Sequence, residues 1–293
     1  MNSQPVAASD SKPSWTPLSV SFLILHLVCL GVFWTPFSWP LLAGLVISYV
    51  IRMFAITAGY HRYFSHRTYK LNRFNQFLLA FIAQTSAQKG ILWWASHHRN
   101  HHRFSDQDQD IHSPLTRGFW YAHVGWILSD THDAYDSKNI HDFEKYPELR
   151  WLNTYHWVCP VLLGVVSFSL GYLTGLGPWV TLLWFFILPT VLLFHGTFTI
   201  NSLCHLWGSV RFSTGDGSRN NFILAFLTLG EGWHNNHHHF QNGCRQGIRW
   251  WEWDPTFYIL KVFSWLSIVR DIRPWPSEFL MVHKDAPISS DFS

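Results

Sequence analysis

Charge is scarce in this chain. Asp, Glu, Lys and Arg together make up 13% of its 293 residues, against roughly 25% in ordinary soluble domains. With 48% hydrophobic residues, 18 Trp and 24 Phe, that deficit argues against a water-exposed globular domain and for a protein immersed in a bilayer. Paired cysteines are lacking too. The four Cys (Cys29, Cys159, Cys204 and Cys244) are scattered without a C-x-x-C, which argues against a disulfide framework and a thiolate zinc site. A formal net charge of +3 is too small to imply a nucleic-acid partner. Residues 1–17 lack the basic start and small-residue cleavage site of a signal peptide. They read as a disordered polar tail, as do 276–293. Histidine, at 19 residues, is the type in excess.

A helical membrane span needs about 20 mostly apolar residues. Four segments qualify: 18–34, 41–59, 158–176 and 178–200. Short uncharged turns join them into two hairpins. Three shorter apolar stretches, 77–83, 222–229 and 257–269, read as interfacial or packed helices. Neither hairpin turn carries Lys or Arg. The opposite side carries Arg62, Arg67, Lys70, Arg73, Lys89, Arg99 and Arg103, then Arg211, Arg219, Arg245 and Arg249. Cytoplasmic loops collect Lys and Arg, so that side and both termini are expected to be cytoplasmic. The predicted fold is an all-α integral membrane protein, a single domain over 18–275. Four transmembrane helices in two hairpins carry a cytoplasmic helical cap built from 60–157 and 201–275. Arg52 lies within the second span, where an ionisable side chain faces the protein interior.

The histidines fall into boxes: His61-Arg-Tyr-Phe-Ser-His66 after the second span, His98-Arg-Asn-His101-His102, and His234-Asn-Asn-His237-His238. Asn201-Ser-Leu-Cys-His205 follows the fourth span. Positions i, i+3 and i+4 share a helix face, so each H-x-x-H-H triplet should offer its imidazoles to one volume. Four crossings return every box to the same side, so all nine imidazoles can converge. Nine exceed what one tetrahedral zinc takes, and two metals with four or five ligands each fit better. Imidazole suits iron, copper, zinc and nickel alike, so ligand type does not choose the metal. His97 and His239 adjoin the boxes but fall off the shared faces. His26, His112, His123, His132, His141, His156 and His195 lack the spacing and read as structural.

The stretch Thr57-Ala-Gly-Tyr-His61-Arg-Tyr-Phe-Ser-His66-Arg-Thr-Tyr-Lys70 resembles the first histidine box of membrane fatty-acyl desaturases of the Δ9, stearoyl-CoA desaturase-like type. The other two boxes are similar to that family's second and third, the last with its Gly230-Glu-Gly lead, and Asn201 to His205 matches its Asn-Ser-x-x-His element. The likeness runs from about residue 18 to 269. It implies a diiron centre at the cytoplasmic face and a kinked acyl tunnel. By this resemblance His61, His66, His98, His102 and His237 hold one iron. His101, His205, His234 and His238 hold the other, with Asn201 contacting it through water, and no catalytic residue is expected beyond these ligands. The acyl-CoA members of the animal branch carry Arg-Asp before the second box. Here Ser96 and His97 stand there, which raises an acyl lipid or another thioester as carrier. No His-Pro-Gly-Gly haem motif occurs, so the electrons would come from a separate donor such as ferredoxin or cytochrome b5 with its reductase.

The expected function is O2-dependent insertion of a cis Δ9 double bond into a saturated long-chain acyl group, in unsaturated fatty acid biosynthesis. If the source is bacterial, the location is the plasma membrane. Spans one and two should floor the acyl tunnel, with Trp93 and Trp94 as lining candidates. Tyr49, twelve residues before His61, is a candidate for limiting chain length. Two other functions share some of the pattern. A diiron hydroxylase of lipids or alkanes uses similar metal chemistry. A non-catalytic metal-binding or transporting membrane protein is disfavoured, because transport places its polar ligands within the spans.

Overall fold

The computed structural model describes residues 16–129 and 132–277. Residues 1–15 and 278–293, most of the two expected tails, lie outside the described residues. Among the described residues every regular element is a helix, and extended pairing is limited to isolated bridges.

Helix α1 (Pro17–Cys29) begins on a capping box, Thr16 with Ser19, with Pro17 in the first turn, and ends in a 3-10 turn, Leu30–Trp34. Helix α2 (Trp39–Phe54) is capped by Ser38 and continues without a break as a π-helix, Ala55–Ser65. Helix α3 (Arg73–Gln84) is capped by Asn72, and α4 (Ile91–Phe104) follows Gly90. The first amides of α4 find acceptors outside their own helix. Gln84 Oε1 accepts from Ile91, and Asn153 Oδ1 accepts from Leu92 and Trp93 at 3.0 and 2.9 Å. Short turns follow at α5 (Pro114–Arg117), a π segment at Tyr121–Gly125, and α6 (His141–Glu144).

Helices α7 (Pro147–Thr154) and α8 (Val158–Thr174) meet at a bend of 70°. A turn through Gly175 and Gly177, both with positive φ, leads into α9 (Pro178–Thr181), a π segment Leu182–Ile187, and α10 (Leu188–Ser202). The chain then forms α11 (Phe222–Leu227), α12 (His234–His239) and α13 (Pro255–Trp265).

All four expected apolar segments are helical. Two continuous helices, Trp39–Ser65 and Pro178–His205, are long and apolar enough to cross a membrane by length and composition. The bent α7–α8 pair makes a third if counted as one span, and Ser19–Trp34 is shorter. Exposed Val46, Ile47, Val50 and Ile51 on α2 and Val161, Leu162, Val165 and Val166 on α8 give the outward apolar stripes that lipid contact requires. The three shorter stretches fall in α3, α11 and α13, as expected.

Arg52 has no acidic partner among its contacts. It is fully buried and donates to the Thr85 carbonyl and Thr190 Oγ1, each at 2.7 Å, and to the Phe186 carbonyl at 3.4 Å. Its guanidinium also lies 5.5 Å from the Phe186 ring. Thr190 Oγ1 donates to that same Phe186 carbonyl. The π segment before Pro189 frees main-chain acceptors, and the cation bridges two spans through them.

At the α8–α9 hairpin, a Cβ on Gly171 would sit 2.5 Å from the Gly177 carbonyl oxygen and 2.1 Å from Thr181 Oγ1. The first of these is backbone and cannot swing away. Gly171→Val should therefore splay the hairpin and lower stability by about 1–3 kcal/mol. A clear drop in thermal midpoint in detergent would show it, and an unchanged midpoint would refute the tight approach.

Candidate metal centre

The first box continues the second long helix rather than following it. His61 lies inside the π-helix that prolongs α2, and His66 caps its end. The amide of His66 donates to the His61 carbonyl, an i→i+5 bond of 3.1 Å, the repeat that defines a π turn. A five-residue spacing would diverge on an α-helix. Here it brings the two rings edge to face, 4.8 Å apart. The loosened backbone is satisfied by side chains: Ser65 Oγ donates to the Tyr60 carbonyl, Tyr69 to that of Ala58, and Arg99 to those of Phe64 and Ser65.

The two H-x-x-H-H triplets do not each feed one volume, as their spacing alone suggested. At about 100° per residue, i and i+4 differ by about 40° while i+3 and i+4 differ by about 100°. Each triplet therefore straddles two sites. Helix α4 sends His98 and His102 to a group with His61, His66 and His237. It sends His101 to a group with His205, His234 and His238. Helix α12 does the reverse, giving one ring to the first group and two to the second. Within each group the candidate ligand atoms lie within 4.8 Å of one another. The groups adjoin, with the His102 and His238 rings 4.4 Å apart.

Four rings are aimed by carboxylates. The Nδ1 atoms of His101, His205 and His238 meet Asp110, Asp106 and Asp216 at 2.9, 2.8 and 2.7 Å, and that of His61 meets Glu231. Nδ1 therefore carries the proton, and Nε2 is left as an inward-facing lone pair. Nε2 pairs approach closely: His61 to His237 at 2.9 Å, His66 to His98 at 2.9 Å, His98 to His102 at 3.0 Å, His102 to His237 at 3.0 Å, and His205 to His234 at 3.1 Å. Burial holds His98, His102, His234 and His237 well below the ordinary imidazole range, so they are neutral. Neutral rings cannot all supply an N–H to such contacts, and facing lone pairs repel. His238 Nε2 is buried with no hydrogen-bond partner. The donor set therefore fits cations placed among the rings.

The carboxylates are the residues that the sequence reading missed. Burial works to raise Asp110 and Asp216, but His101 and His112 on the first and His238 on the second hold both well below the usual carboxylate range. Glu231 is likewise held down against burial by His61 and Arg62. Their sequence signal is weak. Asp106 and Asp110 merely follow the second box closely, and Asp216 sits in a Gly-Asp-Gly turn. Glu231 stands in the Gly-Glu-Gly lead of the third box, and its flanking glycines have a steric reason. Gly230 has φ +117°, and a Cβ on Gly232 would sit 2.1 Å from the Ala225 amide nitrogen.

Between the α12 histidines, Asn235 and Asn236 are fully buried braces. Asn235 Oδ1 accepts from the Arg211 and Phe212 amides, while Asn236 donates to Gln246 and Glu252. His112, read as structural, packs 4.5 Å from His101 and forms a third possible donor group with it and Asp110.

The remaining expectations sort as follows. His97 lies outside the groups and bonds the Ala134 carbonyl, and His239 stacks on Phe212. His26, His195 and His123 form a separate hydrogen-bonded file ending on Ser202. Asn201 lies beside His61 and His98 in the lining of a small cavity of about 40 Å³. A larger cavity of about 170 Å³ also reaches His98 and Asn201. Its walls are Phe22 and Leu25 of α1, Trp93 and Trp94 of α4, and Phe194 and Phe198 of α10. Trp94 stacks on His98 at 4.9 Å. Helix α1 contributes to this larger cavity, while α2 and its π extension contribute Met53, Ile56 and Thr57 to the smaller one. Tyr49 lines neither, and its hydroxyl donates instead to the Leu227 carbonyl at 2.8 Å.

Comparison with known proteins agrees with this geometry. The family profile described as fatty acid desaturase matches residues 14–264. An acyl-CoA 5-desaturase of Anemone leveillei is 35% identical over 279 residues, 92% of this chain and 83% of that protein. The sn-1 stearoyl-lipid 9-desaturase of Synechocystis sp. is 35% identical over 285 residues, 94% of this chain and 86% of that protein. Delta-9 acyl-lipid desaturase 2 of Arabidopsis thaliana is 36% identical over 262 residues, 88% of this chain and 82% of that protein.

Two outcomes are expected of the carboxylates and rings. Asp216→Ala frees the His238 ring and should weaken metal retention about 10–100-fold, read by metal analysis after graded chelation. Unchanged retention would remove the orienting role. In metal-free protein, the four buried rings bind fewer protons folded than unfolded. Stability should therefore fall as pH drops below their ordinary value of 6.5, seen as a declining thermal midpoint. A midpoint that rises on acidification would contradict the neutral assignment.

Proposed function

This chain belongs to the fatty acid desaturase family and is an oxidoreductase, and on that premise we propose that it inserts a cis Δ9 double bond into a saturated long-chain acyl group. The observation that carries the reading is the gathering of nine imidazoles into two adjoining groups beside an apolar cavity. Two irons fit them, one with His61, His66, His98, His102 and His237, the other with His101, His205, His234 and His238; the resemblance assigns Asn201 to the second through water, while its side of the cavity is shared with His61 and His98 of the first. Iron is the metal of choice because the reaction is a redox one, and the all-nitrogen donor set accepts it. The metal pair supplies, with O2 and two electrons, the oxidising power to take one hydrogen from each of two adjacent methylenes. With two protons taken up, O2 leaves as two waters and the alkyl segment as an alkene.

The protein's part is placement and exclusion of water. Trp93, Trp94, Phe22, Leu25, Phe194 and Phe198 surround the chain segment with carbon. An acyl chain gains about 0.8 kcal/mol per buried CH2 on leaving water, but a bilayer already offers that. The cavity therefore selects by shape and length. Asp106, Asp110, Asp216 and Glu231 keep the Nδ1 protons in place and the Nε2 atoms aimed inward. Ser96 and His97 beside the second box favour an acyl lipid as the carrier, in line with the two acyl-lipid relatives. A separate ferredoxin or cytochrome b5 delivers the electrons.

The Lys and Arg distribution supports a four-span protein. In that arrangement 18–275 form one domain, with the cap, the metal site and both termini on the cytoplasmic side.

Expression in a host lacking its own desaturase, with double-bond mapping of the lipids by mass spectrometry, tests the reading. A cis Δ9 alkene and two irons per chain are expected, both lost in His101→Ala. A hydroxylated product without alkene would replace desaturation with hydroxylation, and alkene formation without bound iron would overturn the metal assignment.

A further inference from the structure

We propose that Lys89, which lines the larger cavity, binds the phosphodiester of a glycerophospholipid whose acyl chain fills that cavity, in place of the Asp133 carboxylate. The inference deepens the acyl-lipid reading of the carrier above and rests on it. Among acyl lipids it selects those that carry phosphate over neutral glycolipids. Among the described residues that line the cavity, Lys89 is the one with a permanent charge. The same cavity touches His98 and Asn201. A charge in an aromatic wall is costly without partners, and Lys89 has two. Its ammonium pairs with Asp133 and lies 4.7 Å from the centre of the Trp93 ring. The ion pair is lopsided, because the Lys89 side chain is 16% exposed and that of Asp133 is 66% exposed. A carboxylate so open to water holds its partner loosely. A phosphate brings several acceptor oxygens to the same cation.

The backbone is bent to present this cation. Ala87 and Lys89 have φ of +58° and +64°, a region that residues with a Cβ seldom adopt. Such strain collects at ligand sites. Consecutive residues of extended chain face opposite ways, yet here Gln88 and Lys89 both line the cavity. The Tyr60 hydroxyl donates to the Lys89 carbonyl at 2.7 Å, and Gln88 Nε2 donates to Thr197 Oγ1 at 2.9 Å, which holds the bend. Tyr60 adjoins His61, so Lys89 stands near the depth of the first box, where the four-span arrangement puts lipid headgroups. Asp133 belongs to a strap, residues 132–136, laid across the start of α4. Trp93 Nε1 donates to the His132 carbonyl at 2.7 Å and Ser96 Oγ to that of Asp136 at 3.0 Å, and His97 Nε2 meets that of Ala134 at 3.0 Å. The strap is thus fastened by its carbonyls, and the Asp133 side chain can swing away while the strap stays. Burial, then Arg117 and Lys89, hold His132 below the ordinary imidazole range, which marks net positive surroundings suited to an anion.

The test is native mass spectrometry of the full chain, delipidated in detergent and offered distearoyl-phosphatidylglycerol, distearoyl-monogalactosyldiacylglycerol or stearoyl-CoA. Wild-type protein should retain phosphatidylglycerol several-fold over the galactolipid. Lys89→Met should lose that preference and Lys89→Arg should keep it. Asp133→Asn, which removes the competing carboxylate, should raise phosphatidylglycerol retention several-fold, and it carries the test alone should Lys89→Met fail to fold. Leu25→Trp, which fills the cavity from α1, should lower retention of both lipids and so locate them there. An intact preference in Lys89→Met, equal retention of the two lipids by wild type, or unaltered retention in Asp133→Asn would each overturn the proposal and leave the acyl-lipid reading standing. Stearoyl-CoA retained over phosphatidylglycerol would overturn both, since the phosphate would then belong to a soluble thioester. Retention is read without turnover, so a chain that shows the headgroup preference but makes no alkene fails only the desaturase reading.

Discussion

Each carboxylate that accepts an Nδ1 proton decides which face of an imidazole is electron-rich, and the centre depends on that choice. A free histidine divides its proton between two nitrogens. Buried against Asp106, Asp110, Asp216 or Glu231, it keeps one tautomer and one orientation. Two of these rings, His61 and His205, then turn their Nε2 lone pairs toward the His237 and His234 rings at 2.9 and 3.1 Å, where a cation would relieve the crowding of donor atoms. The braces behind the rings follow from the same demand. Arg62 is buried between Glu231 and Asp254, and Asn235 and Asn236 tie α12 to three other segments. The first box, the Gly-Glu-Gly turn and the third box are thereby joined into one polar block.

Much of this was legible in the sequence because helices have fixed periods. The i, i+3, i+4 spacing marked α4 and α12, and the apolar runs marked the long helices. Splitting each triplet between two sites follows from the same geometry, but it needs a second helix to face, and spacing alone does not say where that helix lies. The π-helix was illegible for another reason. Nothing in Ala55 to Ser65 forbids α geometry, and the wider turn exists because tertiary partners such as Arg99 and Tyr69 take up the freed carbonyls. The orienting aspartates were hidden because they come from loops, where sequence distance carries no directional information. Arg52 was flagged as inward-facing, but its acceptors are hydroxyl and carbonyl oxygens, which no charge pattern reveals.

The apolar part of the site is simpler. Trp94 touches both His98 and the cavity, so the carbon lining and the metal-ligand candidates share a wall. Hydrophobic packing thus shapes the cavity, and hydrogen bonds position the imidazoles, with little overlap between the two tasks. Tyr49, which helical phase put near the chain's path, ties α2 to the end of α11 through the Leu227 carbonyl.

The wide turn also bears on how such a box can change over time. An α-helix becomes locally π by gaining one residue, which rotates everything beyond it by about 100°. His61 and His66 share a target only in that overwide register. A single-codon deletion anywhere between Ala55 and His61 would leave every histidine in the chain and still turn the first box away from its partners. Substitutions are thus tolerated there more readily than any change in length, and the segment is a ruler as much as a scaffold.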